Sequence, residues 1–155
     1  MLRRGVPNPH PRTRSQPLLF PGRFIVNYSV VSKEIKHILL LDDEPSVLLA
    51  LKLLLQALGF TVSAFDKALE ALEHFRSNES VELFISDLRM PIMSGLEVLA
   101  EAKRIRPSVP VVLMSAHAAE AEQAYAKSAG CFGFLSKPFT VQDLQNLVQK
   151  VQADS

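Results

Sequence analysis

Three aspartates, a serine and a lysine stand where apolar runs end. Asp42 and Asp43 close the run 38–41, Asp87 closes the run 81–86, Ser115 ends the run 110–115, and Lys137 follows the run 131–136 just ahead of Pro138. Carboxylates that share a site repel: two unit charges ~4 Å apart at an effective dielectric of ~20 cost about 4 kcal/mol. A divalent cation with oxygen ligands offsets that cost. Mg2+ suits a site of few carboxylates completed by water and phosphate, with Mn2+ as the alternative. Such a cation would screen Asp87 and neutralise an incoming phosphoryl group. Lys137 offers a point charge to a carboxylate or a phosphoryl oxygen, and Ser115 a hydroxyl that can donate to that oxygen. The set suits an acyl-phosphate reaction with Asp87 as the nucleophile.

The elements that must position these groups alternate along the chain. Apolar runs at 38–41, 60–65, 81–86, 110–115 and 131–136 read as strands. They are continuously apolar rather than alternating, as expected where both faces of a sheet are covered. Between them Val47, Leu48, Leu51, Leu54, Leu55 and Leu58 recur at helical spacing after Pro45, and Gly59 ends that helix. Asp66 is expected to cap a second helix to about Arg76. A third spans about 95–105, a fourth 118–129, and Thr140 caps a fifth to about Val151. Five strands alternating with five helices predict an α/β, doubly wound parallel sheet of the flavodoxin-like order 2-1-3-4-5. In that order every polar strand end meets at one carboxyl edge.

The chain divides by composition. Residues 1–36 hold seven Lys or Arg and one acid, and five of the ten prolines lie in the first 21 residues. This basic leader is expected to be largely disordered, with Phe24-Ile25-Val26 and Tyr28 to Val31 able to pack on the domain or a partner. Residues 37–153 are expected to form the globular domain. From His37 onward ten basic and fifteen acidic residues leave an acid excess, so the domain carries no charge argument for direct DNA binding. No apolar run approaches the ~20 residues of a spanning helix, and the single cysteine, Cys131, allows no internal disulfide. The expectation is a soluble cytoplasmic protein with no membrane contact.

Four pieces in order carry a resemblance: Leu41-Asp42-Asp43-Glu44, Asp87-Leu88-Arg89-Met90-Pro91 with Met93-Ser94-Gly95, Ser115-Ala116, and Lys137-Pro138-Phe139. Residues 37 to about 152 resemble the receiver domain of two-component response regulators, in the stand-alone form of the chemotaxis regulators. The resemblance implies that Asp87 takes a phosphoryl group from a histidine kinase, a histidine phosphotransfer protein or a small phosphodonor. Asp42, Asp43, Asp87 and the backbone carbonyl of Arg89 would hold Mg2+. Ser115 would swing toward the phosphoryl group, Phe134 would turn inward as the switch aromatic, and the peptide before Pro138 would be cis. Arg89 and His117 would tune the loss of phosphate. The surface from Ala118 to Val151 would contact a downstream protein target or a second copy in a phosphorylation-dependent homodimer, and the kinase would dock near 45–55.

The other readings are weaker. A haloacid-dehalogenase-type hydrolase also uses a strand-end Asp, Mg2+ and a Lys, but wants Asp-x-Asp where this chain has Asp42-Asp43-Glu44. A receiver-like platform that never takes phosphate would not need the complete acidic set. No output domain is expected after residue 155, so the chain reads as either a stand-alone receiver or a piece of a longer regulator. Phe134 as static core and His117 as an exposed loop histidine are the plain alternatives for those two positions. His10, His37 and His74 lack metal-ligand spacing, and Cys131 reads as buried and inert.

Overall fold

A computed structural model describes residues 33–154. The expectations for the leader up to residue 32 lie outside the described residues. The order is β1 (His37–Leu41), α1 (Pro45–Ala57), β2 (Thr61–Phe65), α2 (Ala68–Ser77), β3 (Leu83–Asp87), α3 (Gly95–Ile105), β4 (Val111–Ser115), α4 (Glu120–Ser128), β5 (Gly133–Ser136) and α5 (Val141–Ala153). All strand pairs are parallel and the sheet runs β2-β1-β3-β4-β5, the expected doubly wound order.

Successive side chains on a strand point to opposite faces, and the two faces fill separate cores. Leu39, Leu41, Phe84, Val111 and Leu113 pack against Leu72, Phe75, Val98, Leu99 and Ala126 from α2, α3 and α4. Ile38, Leu40, Leu83, Ile85, Val112 and Met114 pack against Leu51, Leu55, Leu144, Leu147 and Val148 from α1 and α5. Every residue of β1, β3 and β4 is buried, whereas the edge strand β2 is half-buried along most of its length. Continuous burial of the central strands explains why their sequences do not alternate. Ile35, ahead of β1, is also buried in the second core.

Pro45 opens α1 and Gly59, at φ +97°, follows its end, as the sequence predicts. Thr140 caps α5, its hydroxyl accepting from the Asp143 N–H at 3.2 Å while Asp143 accepts from the Thr140 N–H at 2.7 Å. Asp66 does not cap α2. The chain stays extended through Lys67, which takes the N-cap position without a side-chain bond, so Asp66 lies one residue outside the helix. Helix α4 likewise starts at Glu120, two residues later than expected, because Ala119 is still extended.

An acidic cluster at the carboxyl edge of the sheet

Topology places β1, β3, β4 and β5 side by side, so their carboxyl ends share one edge. Asp42 follows β1 and is 1% exposed; Asp87 is the last residue of β3 and Ser115 of β4, and both are buried. Asp43 is half-buried. One ligand oxygen from each of Asp42, Asp43 and Asp87 lies within 4.8 Å of the others. Lys137, one residue past β5, donates to Asp42 Oδ2 at 2.9 Å and to Asp87 Oδ1 at 3.0 Å. The Lys137–Pro138 peptide is cis, as the resemblance implies. Asp42 Oδ1 also accepts from the Glu44 N–H at 2.9 Å, which ties the start of α1 to the site.

Burial pushes the Asp87 carboxyl above its ordinary value. The Lys137 hydrogen bond opposes this, and the charges of Asp42 and Asp43 reinforce it. For Lys137, burial alone would depress the ammonium, but hydrogen bonds to Asp42 and Asp87 and their charges outweigh it and leave the group above its ordinary value. When ionised, three carboxylates and one ammonium leave a formal charge of −2 on the cluster. Hard oxygen donors with that residual charge match a divalent cation such as Mg2+. This donor set could hold one.

The remaining predicted site residues make their contacts outside the cluster. Ser115 Oγ accepts from the His117 N–H at 3.1 Å. His117 is exposed. Arg89 is exposed and turned toward α4, where Nη2 donates to Glu122 Oε2 at 2.8 Å and reaches the His117 carbonyl at 3.5 Å. Phe134 is half-buried against the α2–α4 core and stands opposite Leu113 in the β4–β5 register.

Two supports of the site were not assigned from the sequence: the close approach at Gly95 and the contacts of Glu122. A Cβ at Gly95 would lie 2.4 Å from the Asp87 carbonyl oxygen and 2.7 Å from Leu88 Cα, so only glycine lets α3 start against the backbone of Asp87. The available signal was Ser94 and Glu97 at capping-box spacing: Ser94 accepts from the Glu97 N–H at 3.3 Å, and Glu97 accepts from the Ser94 N–H at 2.7 Å. The second is Glu122. No polar N-cap residue precedes it, so nothing in the sequence marked its contacts.

The profile of the "Response regulator receiver domain" family matches residues 38–149. The chain belongs to the response regulator receiver domain family. Receiver domains serve two-component signalling. Phosphorylation on an aspartate and Mg2+ binding at an acidic pocket are general to them. Among curated relatives, the transcriptional regulatory protein GlrR of Escherichia coli is 38% identical over 102 residues, 66% of this chain and 23% of GlrR. The response regulator protein TodT of Pseudomonas putida is 31% identical over 133 residues, 84% of this chain and 58% of TodT. This receiver chain therefore spans about a quarter of GlrR and less than two thirds of TodT. A receiver domain protein from Clostridium thermocellum superposes with a TM-score of 0.73 at 32% identity, covering 77% of this chain and 95% of that one. Among the described residues no helix is long and apolar enough to cross a membrane.

Proposed function

We propose that this receiver accepts a phosphoryl group on Asp87 from a histidine kinase, a histidine phosphotransfer protein or a small phosphodonor. The observation that supports it most is Asp87 itself: a buried carboxylate at the end of β3, held by Lys137 at 3.0 Å beside two further aspartates. An Asp87 Oδ attacks phosphorus and forms the new P–O bond. The P–N bond of a phosphohistidine breaks and leaves imidazole, or the P–O bond of acetyl phosphate breaks and leaves acetate.

Asp42, Asp43 and Asp87, with the backbone carbonyl of Arg89, would hold Mg2+. Bound there, the ion would neutralise charge on the phosphoryl oxygens and relieve repulsion among the carboxylates. Lys137 pairs with a phosphoryl oxygen once Asp87 is phosphorylated, keeping its hydrogen bond to Asp42. The Ser115 hydroxyl, which now accepts from the His117 N–H, turns to donate to the phosphoryl group, and Phe134 fills the space this opens. Arg89 and His117 set how fast the acyl phosphate is lost.

The reaction is self-phosphorylation and self-dephosphorylation of one aspartate, not turnover of a substrate. The output surface comprises α4, β5 and α5, which would bind a downstream protein or a second phosphorylated copy. Because phosphate must bind one arrangement better than the other to shift them, the gain in that arrangement amounts to a few kcal/mol. GlrR is by name a transcriptional regulator and this chain aligns with 23% of it. DNA binding elsewhere in such a protein is compatible with a receiver whose own acid-rich surface contacts protein. The working location is the cytoplasm, where the kinases' phosphohistidines are presented.

Incubation with acetyl phosphate and Mg2+, followed by intact-mass measurement, tests the reading. One added phosphoryl mass is expected for the unaltered chain and none for Asp87→Asn. No addition under conditions that label a control receiver would refute it.

A further inference from the structure

Helix α4 is the least anchored of the helices: it buries one residue, Ala126, whereas α3 and α5 bury four each. What holds its start is polar. Glu122 Oε2 accepts from the Ala119 N–H at 3.1 Å and from Arg89 Nη2 at 2.8 Å. A single carboxylate oxygen thus bonds the backbone ahead of α4 and the side chain two residues past Asp87. The same guanidinium reaches the His117 carbonyl, while the His117 N–H donates to Ser115 Oγ. Both sides of the β4–α4 connection are therefore tied to groups that flank the acceptor.

The Glu122 carboxylate is more sheltered than its partner, at 27% side-chain exposure against 64% for Arg89. The more exposed member of the pair is the arginine. Arg89 and Glu122 line one cleft with Leu88, Met90, Ser94 and Leu96, which leaves the guanidinium room to move. An arginine can exchange a carboxylate for a phosphoryl group, since its planar fork matches both.

We propose that Glu122 is a positioning residue for the acceptor site: it holds Arg89 turned toward α4, and phosphorylation transfers the guanidinium from Glu122 to the phosphoryl oxygens. The transfer severs the tie between the loop after Asp87 and the start of α4, and so couples the acceptor to the output surface. Glu122 keeps its bond to the Ala119 N–H, so the helix is freed from the loop without losing its cap. The inference rests on the phosphoacceptor reading and adds the route by which Arg89 reaches the phosphoryl group.

Glu122→Gln preserves an acceptor for the Ala119 N–H and removes the charge that retains Arg89. In the full chain labelled with acetyl phosphate and then freed of donor, loss of the phosphoryl mass should slow by about two- to fivefold, the factor an exposed ion pair supports. Arg89→Ala should lose phosphate faster than the unaltered chain, and adding Glu122→Gln to it should change nothing further. An unchanged rate in Glu122→Gln, or an effect that persists in the Arg89→Ala background, would overturn the inference while leaving the proposed function standing. Failure of the unaltered chain to take up phosphate would overturn both.

Discussion

Asp43→Asn should make the metal-free protein more stable and the Mg2+-bound protein relatively less so. Asp43 lies within 4.8 Å of ligand oxygens on both Asp42 and Asp87, yet Lys137 bonds only those two neighbours. At that separation and an effective dielectric of ~20, each repulsion is about 3.5 kcal/mol. Attraction to the Lys137 ammonium cancels roughly one of the two, and partial exposure of Asp43 screens what remains, leaving about 1–2 kcal/mol. For a domain of this size that corresponds to a rise in Tm of about 4–8 °C in the presence of a chelator. Mg2+ at ~100 times its Kd should add about 2.7 kcal/mol to the unaltered protein and much less to the variant, closing or inverting the gap. The chain has no tryptophan, so melts are followed by far-ultraviolet circular dichroism with EDTA and with Mg2+. A variant that melts lower in EDTA, or that gains as much from Mg2+ as the unaltered chain, would rule out net repulsion at Asp43.

Two further outcomes test the supports of the site. Gly95→Ala forces a Cβ to 2.4 Å from the Asp87 carbonyl oxygen and should cost about 1–3 kcal/mol or more in urea unfolding. Gly133→Ala meets nothing within 4 Å and serves as the control; equal stability of the two variants would remove the close-approach argument. At the opposite edge His37 is buried between Ser80 Oγ at 2.6 Å and Ser63 Oγ at 2.8 Å. Burial, with the charge of His74 adding and that of Glu82 opposing, holds its pKa below the ordinary 6.5. The unfolded chain therefore takes up the proton first, and stability should fall as pH drops through the ordinary histidine range. His37→Gln should flatten that slope; an unchanged slope would show that another group titrates.

The sequence made the acidic cluster legible because each chemical group ends an apolar run, and a parallel sheet brings such ends together. The caps at Pro45, Gly59 and Thr140 were readable because each signal lies within a few residues of its effect, whereas strand order followed from the usual arrangement of five alternating strands and helices. The Arg89–Glu122 pair was not readable, since its members are 33 residues apart and Glu122 lies in no motif. Asp66 misled because an acid ahead of an apolar period satisfies the cap pattern even when the chain turns one residue later. Ile92, wholly exposed at φ +73°, occupies a backbone region that favours glycine. A β-branched residue gives no hint of that turn in the sequence.

The phosphoryl group is predicted to reside on Asp87. Borohydride reduces an aspartyl phosphate to homoserine, so labelling with acetyl phosphate and Mg2+, reduction and peptide mass mapping locate the acceptor directly. Homoserine at position 87 and at no other acid is the predicted result. Reduction at Asp42 or Asp43 instead, or a phosphoryl mass that survives acid and maps to a hydroxyl side chain, would contradict it.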